Sequence, residues 1–119
     1  MKEFTITSNG GTQWEERAVV TVEHDGADRD PLGGYRQRYR YSIVTPDWRY
    51  DGNDLHSGVT DSVDESEMAR ALFSFLSACA ESRQYGGGEN SDLFPEHVGA
   101  WAESVSDELS LLSADEAEL

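Results

Sequence analysis

Between Asp64 and Ser82 the chain reads DESEMARALFSFLSACAES, and no other stretch restricts the fold as tightly. Met68, Leu72, Phe75 and Cys79 recur at helical spacing, and Ala69, Phe73, Leu76 and Ala80 form a second row beside them. Two adjacent rows make a face wider than a helix on a simple surface needs, so the spacing predicts a central helix over 64–82 buried against more than one neighbour. Asp64 with Glu67 three residues on has the layout of a capping box, and the acids at 64, 65 and 67 suit the positive end of the helix dipole. Gly86-Gly87-Gly88 marks its end, because glycine closes a helix in the left-handed conformation and three together cannot continue one. The same pattern settles the one cysteine. Cys79 lies on the apolar face, so no disulfide can form within the chain and a buried, reduced and chemically quiet thiol is expected.

Upstream of this helix the apolar period shortens to two. Phe4 and Ile6 alternate with Thr5 and Thr7 in a short strand that ends at Ser8-Asn9-Gly10-Gly11. A second strand runs from near Trp14 to His24, with Ala18, Val20 and Val22 on one side and Arg17, Val19, Thr21 and Glu23 on the other. Asp25 to Gly34 mixes glycines, a proline and charges without period and reads as a loop. Tyr35 to Val44 is the clearest strand: Tyr35, Tyr39, Tyr41 and Ile43 face one way, and Arg36, Arg38 and Arg40 face the other. Arginines interleaved with aromatics suggest nucleic-acid binding, but the alternation sends the two sets to opposite sides, where no single surface uses both. The favoured reading is cross-strand pairing of the arginines with acids such as Glu23. Pro46-Asp47 ends the strand, Trp48-Arg49-Tyr50 begins a return strand, and Asp51-Gly52-Asn53-Asp54 reads as a turn or bulge.

Beyond the glycines, Asp92 or Ser91 is a plausible cap and Pro95 suits a first helical turn. Phe94, Val98, Trp101, Val105, Leu109 and Leu112 step by three or four and predict a second helix over 94–112, followed by an acidic tail over 113–119. Gly99 inside this helix costs up to about 1 kcal/mol relative to alanine and marks a close approach of a neighbouring element. The expected fold is therefore α+β, one domain over 1–119: a three- or four-stranded antiparallel sheet from residues 1–60, followed by two α-helices packed on one face.

Charge is the unusual global property, at −15 for 119 residues, and it is unevenly spread. Up to Thr60 ten acids face seven bases; from Asp61 on fourteen acids face only Arg70 and Arg83. Such a field repels nucleic acid and anionic membranes and attracts basic partners. Genome composition or salt adaptation produces acidity too, and one lysine against eight arginines fits that background. No run approaches the roughly 20 apolar residues that cross a bilayer, and Met1-Lys2-Glu3-Phe4 lacks a signal-peptide profile, so a cytoplasmic location is expected.

Motifs for catalysis or cofactors are absent. His24, His56 and His97 have no metal-ligand spacing, so neither a metal nor a cofactor is expected. Glu89 follows the glycines where a phosphate loop needs lysine, and no Gly-x-Ser-x-Gly occurs. Asp51 to His56 fails the calcium-loop spacing, with Leu55 and His56 at the fifth and sixth positions. An enzyme is unsupported by any of these.

Four segments, SGV (Ser57 to Val59), EMARALFSFLSACAES, ENSDLFP (Glu89 to Pro95) and WAESVSDEL (Trp101 to Leu109), follow one another in the C-terminal half. In this order the half resembles a group of small uncharacterised acidic proteins encoded by actinobacterial phages and their hosts. The resemblance implies a small binding protein acting on a host or phage protein, and it supplies no catalytic residues. The leading expectation is a non-enzymatic protein that binds another protein, basic or nucleic-acid-binding, through its anionic helical half, with imitation of nucleic acid as the sharpest form. Glu96, Glu103, Asp107 and Glu108, together with Glu65, Glu67 and Glu81, are the candidate contact residues. The alternative from another class is a small enzyme or ligand-binding protein with a site between sheet and helices, where Trp48, Tyr50, His56 and Trp101 converge.

Overall fold

The structure, a computed structural model, describes residues 1–58, 65–86 and 89–113. Four strands, β1 (Lys2–Ser8), β2 (Glu16–Arg29), β3 (Tyr35–Val44) and β4 (Arg49–Gly58), precede three helices, α1 (Glu65–Gln84), α2 (Glu96–Ser104) and α3 (Ser106–Ser113), with a 3-10 turn at Glu89–Asp92. This is an α+β fold. The chain divides into two compact units, Met1–Ala69 and Arg70–Leu119, and the division falls within the sequence of α1.

In the first unit the strands form an antiparallel sheet in the order β1-β2-β3-β4. Period-two alternation fixes the faces. Ile6, Ala18, Val20, Val22, Tyr39, Tyr41 and Ile43 are buried on one side, with Gln37 completing the β3 row. Register places Ile6 opposite Ala18, Val20 opposite Ile43 and Val22 opposite Tyr41. The other face is polar, and its arginines pair as expected: Glu23 lies directly opposite Arg40, which donates to it at 2.8 Å. Arg38 pairs with Asp28 and Arg49 with Asp51, in the latter case at 2.9 Å.

Two loop expectations are overturned. Asp25 to Arg29 is not loop but the continuation of β2, and a bulge between His24 and Ala27 absorbs the irregularity. Gly26 adopts a φ of 101°, and Arg38 fills the space beside it, donating from Nε to the Asp25 carbonyl at 3.2 Å. Only Asp30 to Gly34 turns, closed by the Gly33 amide on the Asp30 carbonyl at 2.9 Å and the Asp30 amide on the Gly34 carbonyl at 3.0 Å. Likewise, Asp51 to Asp54 is strand, not turn, in register with Ser42 to Tyr39. Gly52 is there for the close approach of Tyr41: a Cβ at position 52 would lie 2.5 Å from the Tyr41 ring.

In the second unit the expected helix over 94–112 is broken. Pro95, not Ser91 or Asp92, occupies the cap of α2, and Val105 leaves the helical conformation at φ −120°. The Ser104 hydroxyl donates to the Trp101 carbonyl at 2.6 Å, and the Val105 amide is shared between the carbonyls of Trp101 and Ala102. Such side-chain bonds compete with the helix ladder. The apolar row nevertheless continues through the break, with Val98, Trp101, Val105 and Leu109 all buried, which is why periodicity alone reads one helix.

On α1, both predicted rows are buried except for Phe75, which is 40% exposed. The helix begins at Glu65 and ends at Gln84, and Gly86 takes a positive φ of 94° just beyond it. The proposed capping residue Asp64, Gly87, Gly88 and the tail from 114 lie outside the described residues. Gly99 marks the expected close approach: a Cβ there would lie 2.9 Å from Arg83 Cδ.

Candidate interaction surface on the helical unit

Arg83 organises the charges of the second unit. Its guanidinium grips Glu96 with Nη1 at 2.9 Å and Nη2 at 2.7 Å, while Nε donates to Glu103 at 2.6 Å. The fork geometry matches a carboxylate, and the absence of a side chain at Gly99 lets the arginine stem lie against α2. Hydrogen bonding to Arg83 holds the Glu96 carboxyl below the usual glutamate range. Both carboxylates, first of all that of Glu96, raise the guanidinium's own value. These two acids therefore serve an internal clamp.

Glu65, in the first unit, is also engaged. Its carboxylate pairs with the Met1 ammonium at 2.9 Å and accepts from the His24 amide at 3.0 Å, and the ammonium is the main reason its pKa is lowered. Thus three of the seven acids named from sequence, Glu65, Glu96 and Glu103, have intramolecular partners. Glu67 is exposed on the first turn of α1.

The remaining three lie in the second unit. Glu81 on α1 and Asp107 on α3 line one shallow groove of about 290 Å³, and the Ser77 and Ser110 hydroxyls that also line it lie 3.5 Å apart. Tyr85 lines the same groove and is 81% exposed. Glu108 is exposed on α3. Among the described residues, Glu81, Asp107 and Glu108 have no cation within ion-pair distance. The structure thus sorts the acids into clamped and free sets. Sequence spacing carries a trace of this sorting, since Glu96 and Glu103 are two turns apart on one helix side, where one long cation reaches both.

Elsewhere the polar sheet face is a charge-balanced mosaic. A cleft there, also about 290 Å³, is bordered by Arg40 and Arg49 but equally by Glu23 and Asp51, around a Thr21 to Ser42 hydroxyl pair at 2.5 Å. His24 Nε2 is hydrogen-bonded to Gln37 Oε1 at 2.7 Å. Of the residues named for a sheet-helix site, Trp48, just before β4, and Tyr50, on β4, are half-buried, and Trp101 is buried on α2; the His56 side chain lies outside the described residues. Cys79 is buried, its Sγ 3.6 Å from the Ser91 carbonyl, and desolvation pushes its thiol pKa up. Among the described residues no group of three or more His, Cys, Asp or Glu is arranged to hold a metal ion, and no helix is long and apolar enough to cross a membrane. No protein-family model, curated protein or solved structure matches the chain.

Proposed function

We propose that the protein acts by binding, in the cytoplasm, a basic protein through the free carboxylates of its helical unit, Glu81, Asp107 and Glu108. One observation carries this reading: among the described residues these acids have no ion-pair partner, while Arg83 is committed to Glu96 and Glu103. An exposed carboxylate with no internal partner keeps its full charge available to a ligand, and the excess of acids after Asp61 adds a field that speeds encounter with a cation-rich surface. In the phage setting that the resemblance implies, the partner is a host or phage protein whose basic surface otherwise handles nucleic acid. Mimicry in that form rests on fewer carboxylates than the seven named from sequence, because Glu65, Glu96 and Glu103 are occupied.

The test compares the parent with a triple variant, Glu81→Lys, Asp107→Lys and Glu108→Lys, in affinity capture from a host lysate at two salt concentrations. Reversal at Glu96 or Glu103 is unsuitable, since it would place a second cation against Arg83. The expected result is a partner retained by the parent at low salt, lost by the triple variant, released as salt rises, and displaced by duplex DNA. A partner held equally by both proteins at both salt concentrations would overturn the reading.

A further inference from the structure

Phe75 departs from the apolar row that the sequence assigns it, and its exposure gives α1 a second, outward side. Ala71, Phe75, Ala78, Ser82 and Tyr85 are spaced by three or four along that side. Phe75 is 40% and Tyr85 is 81% exposed, and at ten positions apart they are separated by about 15 Å along the axis. The residues between them are small, so a partner backbone can come close while the two rings reach around it. A single exposed hydrophobe needs no explanation. Two aromatics in helical register on one side, with free acids at the border, match the anchor spacing by which one helix reads another.

We infer that the outer side of α1 from Ala71 on, with Tyr85 one residue past its end and still hydrogen-bonded from its amide to the Glu81 carbonyl at 3.1 Å, docks an amphipathic helix of a partner protein. Phe75 and Tyr85 contact the apolar side of that helix, and Glu81 and Asp107 pair with lysines or arginines along its flank. This rests on the binding function proposed above and adds the conformation and apolar contacts of the partner. Charge complementarity selects the occupant. A second copy of this chain would bring its own −15 to the interface and set like charges face to face. An extended basic tail would satisfy the acids but leave both rings in water, forgoing the apolar burial that dominates most associations.

The test uses two synthetic peptides of about 18 residues, long enough for several helical turns. One has leucine and lysine in an amphipathic helical pattern; the other has the same composition shuffled to remove the apolar face. Each is titrated into the ¹⁵N-labelled full chain, as parent, Phe75→Ser/Tyr85→Ser and Glu81→Gln/Asp107→Asn. Thermal melts confirm that the variants remain folded. The expected result is that the patterned peptide binds the parent at least about tenfold tighter than the shuffled one. That preference should collapse in the Phe75/Tyr85 variant, both peptides should weaken on the Glu81/Asp107 variant, and amide shift changes should fall on Ala71, Ser74, Ala78 and Ser82. Equal binding of the two peptides, or shift changes away from α1, would overturn the docking inference and leave the acidic-surface reading standing. Failure of both peptides to bind would overturn both.

Discussion

Replacing Trp101 by alanine should cost the protein a large share of a typical domain's stability of about 5–15 kcal/mol. Trp101 is 8% exposed in the middle of the buried row Val98, Trp101, Val105 and Leu109, which spans the break between α2 and α3. Aromatic side chains bury about 150–250 Å², and at about 25 cal/mol per Å² this is about 4–6 kcal/mol. Alanine retains part of that area, so the expected loss is about 3–5 kcal/mol, the range measured for large aromatics cut back to alanine. With a urea slope of about 2 kcal/mol per molar, the unfolding midpoint should fall by about 2 M. Trp14 supplies the internal control: it is 67% exposed in the loop between β1 and β2, and Trp14→Ala should shift stability by under about 0.5 kcal/mol. Where Trp101→Ala is too unstable to measure, Trp101→Phe keeps a ring in place and should lose about 1–2 kcal/mol. Equal midpoints for the Trp101 and Trp14 variants would refute the packing described for the helical unit.

Gly52→Val should destabilise by about 1–3 kcal/mol through the collision with Tyr41, whereas Gly10→Ala, whose new Cβ meets only Thr7 Cγ2 at 3.6 Å, should be nearly silent; paired denaturation curves decide this. Cys79 should resist a thiol reagent in the native protein and react at once after unfolding, and rapid native labelling would contradict its burial. Glu96 should titrate below ordinary glutamates by carboxyl NMR and return to the ordinary range in Arg83→Met. Because its folded value is depressed, the clamp stabilises above the unfolded glutamate pKa, and that contribution disappears as pH falls through the folded value, so Arg83→Met should flatten this limb of the stability profile.

Much of the architecture was legible because burial repeats along a chain. The Tyr39, Tyr41, Ile43 row against Arg36, Arg38, Arg40 and the two rows of α1 are periodic signals, and the structure buries them accordingly, Phe75 apart. Composition misled where glycine and charge occur inside strands. Gly26 and Gly52 read as turn residues, but one serves a bulge and the other makes room for a tyrosine from the next strand, a reason that exists only once the strands pair. The break at Val105 was hidden for the opposite reason, since it leaves the apolar row of Val98, Trp101, Val105 and Leu109 intact. For the candidate surface, the sequence locates the acids and, beyond the two-turn spacing of Glu96 and Glu103, does not show which of them a cation holds. Arg83 reaches Glu96 and Glu103 across thirteen and twenty positions of sequence, beyond any local pairing rule.

The proposed binding of a basic partner by the carboxylates of Glu81, Asp107 and Glu108 is tested most directly by its salt dependence. Affinity for a captured partner should be measured for the parent and for Glu81→Lys/Asp107→Lys/Glu108→Lys across a series of salt concentrations. Exposed charges are screened over a Debye length of about 8 Å at physiological ionic strength. The parent should therefore weaken steadily as salt rises, and the variant should start weaker and respond less. Two superimposable curves, with the variant as tight as the parent, would show that these acids are solvated surface and that the binding site lies elsewhere.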